Sequence, residues 1–149
     1  MRLSFSRHVL VVGALFLFPL SSQAAPPDAC TFVTLEEVNS IAKGEAKARS
    51  VTNHPRFSEC SFQDASKSAV YTLKIEVDDD PRASLAMMRR GKPAPTELTG
   101  IGDEAIYHPS SRAVFAAKGK WFISSYFTGK NSDQETSAAF AAKVIARIK

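Results

Sequence analysis

Between Val70 and Val77 the chain alternates: Tyr71, Leu73, Ile75 and Val77 fall on one side of an extended backbone, and Thr72, Lys74 and Glu76 on the other. Successive side chains of a strand point to opposite faces, so this run predicts a strand with one buried and one wetter face. Cys60-Ser61-Phe62 opens a strand before it, and Asp64 to Ser68 makes the turn between the two. Ala48 to Thr52 reads as a further short strand, followed by a turn at Asn53-His54-Pro55. Downstream, Ala105 to Tyr107, Ala113 to Ala117 and Trp121 to Thr128 predict more strands, separated by turns at Pro109-Ser110-Ser111 and Lys118-Gly119-Lys120.

Helical spacing interrupts the strands at three places. Leu35, Val38, Ile41 and Ala42 recur at three- and four-residue intervals behind Thr34 and Glu37, which form a capping box, and Gly44 is placed to end this helix in a left-handed conformation. Asp80-Pro81 begins a second helix, with Asp80 as cap and Pro81 in the first turn, where its missing amide costs little. Leu85 and Met88 are expected to face inward and Gly91 to end it. Pro93 and Pro95 forbid continuation, so Lys92 to Gly100 is read as a connection leading to a tight turn at Gly100-Ile101-Gly102-Asp103. A last helix starts at the second capping box, Ser132-x-x-Glu135, and carries the stripe Phe140, Val144, Ile145 and Ile148. The order helix, strands, helix, strands, helix predicts an α+β fold: a mostly antiparallel sheet with helices packed on one face.

The N-terminus has a different pattern. Arg2 and Arg7 precede an apolar run from Val9 to Leu20, broken by Gly13 and Pro19, and Ser22-Gln23-Ala24 places small residues where a signal peptidase reads them. A membrane span needs about 20 apolar residues, and this run is nearer a dozen. Residues 1–24 are therefore read as a signal peptide and residues 25–149 as one domain of ordinary size, with no stable membrane span after processing. Pro27-Asp28-Ala29 before Cys30 is not a lipobox, so a periplasmic or secreted product is expected. Removing the signal peptide takes two arginines and no acidic residue, so the net charge falls from +4 to about +2. The remaining Lys and Arg are scattered among acids, which argues against a nucleic-acid partner. The densest cluster, Arg89-Arg90-Gly91-Lys92, is read as a helix end, where cations complement the dipole.

Cys30 and Cys60 both survive processing. In an oxidising compartment such a pair forms a disulfide, and no Cys-x-x-Cys or nearby histidine cluster favours redox or metal chemistry. Closing a loop of about 31 residues stabilises a fold by roughly 3.5 kcal/mol in the chain-entropy model.

Cys30 followed by Thr34-x-Glu36-Glu37-Val38, then Cys60-Ser61-Phe62, then Gly100-Ile101-Gly102-Asp103-Glu104-Ala105, a strand hairpin and an Ala-rich terminal helix form a pattern. This pattern resembles a group of small secreted proteins and lipoproteins of bacterial envelopes, including actinobacterial members of a domain-of-unknown-function family. The resemblance covers most of residues 25–149. It implies an envelope-located α+β domain that binds a ligand or partner, and it supplies no catalytic residues. Many members of that group carry a lipid anchor, which this sequence is not expected to carry.

Each candidate for chemistry has a plainer reading. Asp78-Asp79-Asp80 lacks the ligand spacing of a calcium loop and is read as a strand end and helix cap. His54 and His108 each adjoin a proline and are read as turn residues without further zinc ligands, and neither Ser58 nor Ser110 lies in a nucleophile elbow. Asp103 and Glu104 point to opposite faces if extended, which does not suit a carboxylate pair across a cleft, and Asp103 is expected to brace the glycine turn before it. No metal and no cofactor is expected.

The stretch Trp121 to Thr128 is apolar on both faces. Trp121, Ile123 and Phe127 share one face, and Phe122 and Tyr126 the other; on the preceding strand Val114 and Phe115 likewise oppose each other. Phe115, Phe122 and Tyr126 therefore either fill an ordinary core or line a groove or contact patch. The expected function is a non-enzymatic envelope protein that binds a protein or small ligand. The alternatives are an inhibitor or immunity protein against a toxin or lytic enzyme, a small hydrolase without a recognisable motif, and an assembly accessory of the envelope. Intact mass spectrometry of protein exported from the full precursor should give the mass of residues 25–149, less the two hydrogens lost to a Cys30–Cys60 bridge. A mass retaining residues 1–24, or a lipid adduct, contradicts the expected address.

Overall fold

The computed structural model describes residues 24–43, 45–128 and 133–149. A single 3-10 turn, Ala29–Thr31, precedes α1 (Leu35–Ala42), and three strands follow: β1 (Ala48–His54), β2 (Phe57–Gln63) and β3 (Ala69–Val77). Next come α2 (Pro81–Met88), β4 (Thr96–Leu98), β5 (Glu104–His108), β6 (Ala113–Lys118), β7 (Trp121–Phe127) and α3 (Gln134–Arg147). The strands form one antiparallel sheet in the order β1-β2-β3-β7-β6-β5-β4. Two meanders, β1–β3 and β4–β7, thus meet side by side at β3 and β7. The fold is α+β, with the predicted element order.

Across that seam Tyr71 faces Phe127, Leu73 faces Ser125, Ile75 faces Ile123 and Val77 faces Trp121. These side chains share the first face, where α1 brings Val38 and Ala42 and α3 brings Phe140, Ala141, Val144 and Ile145 into the main core. Tyr71 is wholly buried there, its ring centroid 4.7 Å from Phe127 and 5.1 Å from Phe140. A buried hydroxyl needs a partner, and the Tyr71 and Ser125 hydroxyl oxygens lie 2.9 Å apart. Burial pushes the Tyr71 phenol well above the usual tyrosine range.

Cys30 and Cys60 are joined, with their Cα atoms 5.0 Å apart. The bridge pins the 3-10 turn to β2, and the Ala29 amide donates to Ser58 Oγ (2.9 Å) beside it. The α1 capping box is formed as predicted, with Thr34 Oγ1 accepting from the Glu37 amide and Glu37 Oε2 from the Thr34 amide.

Several expectations are corrected. The helices do not all lie on one face: α1 and α3 do, while α2 crosses the opposite face, where Leu85 packs with Ile106, Ala117 and Phe122. Met88 is 39 % exposed rather than inward: it is the last residue of α2, whose buried contact with the sheet is carried by Leu85. The connection after α2 contains β4, an edge strand too short to show a period; the bidentate Arg89–Glu97 pair (2.8 and 3.0 Å) ties it to α2. The predicted turn at Asn53-His54-Pro55 is displaced, with β1 running through His54 and β2 beginning at Phe57. The left-handed residue ending α1 is Lys43 (φ 51°), and α3 is capped by Asp133, whose Oδ1 accepts from the Thr136 amide (2.7 Å). Gly44 and Ser132, the predicted terminator and cap, lie outside the described residues, as does the predicted signal peptide up to Gln23.

Glu37 does a second job beyond its helix cap. Its carboxylate takes hydrogen bonds from Arg147 (2.5 Å) and Lys143 (2.9 Å) of α3, fastening the two first-face helices together. The Arg147 guanidinium holds the Glu37 carboxyl far below the usual carboxylate range, against the opposing effect of desolvation, with Lys143 adding to the depression. A carboxylate with a lower pKa folded than unfolded contributes stability above the unfolded value, and that contribution is lost as the pH falls through the folded one. Glu37→Gln should therefore cost about 1 kcal/mol at pH 7, since both cations are partly exposed, or about 3 °C in melting temperature. Thermal unfolding followed by circular dichroism should show this gap shrinking as the pH drops below 4.5. A gap of constant size between pH 7 and pH 2.5 contradicts the assignment.

Candidate functional site

The pleat that sends Ile123 and Phe127 into the main core sends Phe122, Ser124 and Tyr126 to the second face. The registers place Phe115 opposite Ser124, Ala117 opposite Phe122 and Ala113 opposite Tyr126, and on the other side Glu76, Lys74 and Thr72 of β3 complete three cross-strand rows. α2 lies over part of this surface. Its Leu85 is wholly buried against Ile106, Ala117 and Phe122, which by transfer free energy is worth about 2–3 kcal/mol.

The three aromatic residues singled out from the sequence share this face but occupy different positions. Phe122 is 7 % exposed and forms the floor under α2. Phe115 is half-buried and stacks on Phe122, with centroids 6.0 Å apart and planes 18° apart. Tyr126 is half-buried farther along β7 and is not part of the cluster beneath α2. Toward the β1–β2 hairpin the face continues as Lys74, which bonds Glu76 (2.9 Å) and sits 4.6 Å above the Phe57 ring; Phe57 in turn stacks on His54.

Beside α2 the face deepens into a groove of about 520 Å³. Val77, Met87, Met88 and Phe122 supply its apolar lining, and Arg56, Glu76, Asp78 and Ser84 its polar one. Met87 is 70 % exposed, an unusual setting for a large apolar side chain. The volume falls within the range of small-ligand sites, and the mobile thioethers of adjacent methionines can adapt to more than one apolar shape. Sequence reasoning missed this groove. Its lining comes from the β1–β2 turn, the end of β3, α2 and β7, which nothing in the linear pattern brings together. The available signal was the pair Met87-Met88 at the end of a short amphipathic helix.

The other candidates are structural. Asp80 accepts from the Ala83 amide (3.0 Å), the capping role expected of it, while Asp78 accepts from Ser84 Oγ (2.6 Å) and from the Asp80 amide (2.9 Å). Among the described residues no group of three or more His, Cys, Asp or Glu is arranged to hold a metal ion. His54 and His108 prove to be the last residues of β1 and β5 rather than turn residues. His108 Nδ1 lies 2.9 Å from Ser110 Oγ, a contact between residues two apart that the hairpin turn imposes by itself. Ser58 is buried, donating to Asn53 Oδ1 and accepting from the Ala29 amide. Asp103 braces a different turn from the one expected: its Oδ2 accepts from the Gly119 amide (2.8 Å) in the β6–β7 hairpin. Gly102 (φ +60°) permits that approach, since a Cβ there would stand 2.6 Å from the Ala117 carbonyl oxygen. Glu104 bonds Arg89 (3.0 Å) and Arg82 (3.4 Å) of the α2 region.

Among the described residues no helix is long and apolar enough to cross a membrane. Compared with family models, curated proteins and solved structures, the chain matches none.

Proposed function

We propose that this chain is an exported, non-enzymatic binding protein of the bacterial envelope that holds a protein or small ligand against the second face of its sheet. The observation that carries the reading is the uneven cover of that face. The first face is closed by two helices, whereas one eight-residue helix lies on the second and leaves Phe115 and Tyr126 half-buried at its margin. Aromatic rings with one side accessible offer large contact area at small entropic cost, the usual chemistry of a recognition surface. The signal-peptide pattern and the Cys30–Cys60 bridge support the envelope address, because such bridges persist in oxidising compartments. The resemblance to small envelope proteins supports the same assignment.

The test separates fold from function. Phe122→Ala should destabilise the protein by about 3 kcal/mol through loss of packing under α2, and Tyr126→Ala by less than about 1 kcal/mol. A photoreactive phenylalanine replacing Tyr126 in exported protein should give a discrete cross-linked species in intact cells, and one replacing the exposed Val51 on β1 should not. Absence of a product at position 126, or the same products at both positions, contradicts the proposal.

A further inference from the structure

The groove beside α2 carries charges that the fold itself does not neutralise. Glu76 is paired with Lys74. Among the described residues Asp78 forms no ion pair, and its carboxylate is fixed by two neutral donors, the Ser84 hydroxyl and the Asp80 amide. Arg56, at the β1–β2 turn, likewise forms no ion pair among the described residues and donates one Nη2 bond to the Val77 carbonyl (3.4 Å). Both line the same groove, with Val77, Met87, Met88 and Phe122 as its apolar surface. A guanidinium with free donors suits a carboxylate, and a carboxylate bonded only by neutral donors is left to pair with an ammonium group. Opposite charges that line one partly apolar groove without an ion pair are complementary to a molecule with both charges on an apolar body.

We infer that this groove binds short apolar peptides with free termini, the α-amino group meeting Asp78, the α-carboxylate meeting Arg56, and the side chains resting on Met87, Met88 and Phe122. The space, about 520 Å³, suits two or three residues. The inference rests on the binding reading above and gives it a ligand class.

Isothermal titration of the purified full-precursor product with Leu-Leu, N-acetyl-Leu-Leu and Leu-Leu amide tests it. Leu-Leu should bind, and blocking either terminus should weaken binding about tenfold or more, as expected for loss of a charge-assisted contact. Asp78→Asn, which keeps an acceptor for one of its two donors, Ser84 or the Asp80 amide, should weaken Leu-Leu by a similar factor and leave the acetylated peptide unaffected. Arg56→Gln should do the same with respect to the amidated peptide, so that the two cycles assign each end. Arg56 is exposed, so that variant remains informative if Asp78→Asn fails to fold. No binding of Leu-Leu at millimolar concentration, equal binding of the blocked peptides, or unchanged binding by Arg56→Gln overturns the inference. If Leu-Leu fails while the position-126 cross-link forms, the peptide assignment falls and the binding reading stands; if neither is seen, both fall.

Discussion

The pairing of β3 with β7 is the contact on which the rest of the molecule depends. Each meander is local and short-range, but alone each would leave an apolar strand at an edge, with unpaired amides and carbonyls. Joining them converts two edges into the middle of a seven-stranded sheet. The seam also fixes the two faces at once, since the register that puts Tyr71 opposite Phe127 puts Thr72 opposite Tyr126. The buried Tyr71–Ser125 hydroxyl contact rewards that alignment, because a slip by one residue would leave a buried hydroxyl without its partner.

The coverage of the sheet follows from the seam. β3 ends near the middle and β4 lies at the far edge, so the chain must cross β7, β6 and β5 to connect them. With the first face filled by α1 and α3, α2 makes that crossing on the second. Being short, it shields Ile106, Ala117 and Phe122 and stops, which creates the groove at its flank and leaves the aromatic margin beyond. The ion pairs of Arg89 with Glu97 and Glu104 fasten the end of α2 to β4 and β5. The position of the groove wall is thus set by charge pairing as well as by Leu85.

Much of this was legible in the sequence where one physical rule acted alone. Strict alternation gave β3, a reciprocal side-chain to backbone cap gave the start of α1, and an isolated pair of cysteines gave the disulfide. Parity along β6 and β7 correctly grouped Phe115, Phe122 and Tyr126 on one face. What it did not contain was the identity of the cover: Phe122 and Tyr126 have the same parity, and the placement of α2 alone distinguishes them. β4 escaped notice because Thr96, Glu97 and Leu98 gain strand geometry from pairing with β5 rather than from any pattern of their own. Met88, three residues from Leu85, has the spacing of a core position, yet it lies partly exposed at the end of the helix. The cap of α3 went to Asp133, a residue as competent as its neighbour Ser132. The groove was illegible because its lining converges only after the seam has formed.

The central claim is that the seam makes one cooperative sheet and that α2 is a lighter cover over its second face. Native-state hydrogen exchange tests it directly, since β3 and β7 are interior strands whose amides are bonded to a neighbour on one side or the other. The amides of Leu73, Ile75, Ile123 and Ser125 should exchange through global unfolding alone, and those of Leu85 and Ala86 in α2 through a separate opening of lower free energy. Distinct stabilities for β1–β3 and β4–β7, or α2 amides as protected as those of the seam, would contradict the account.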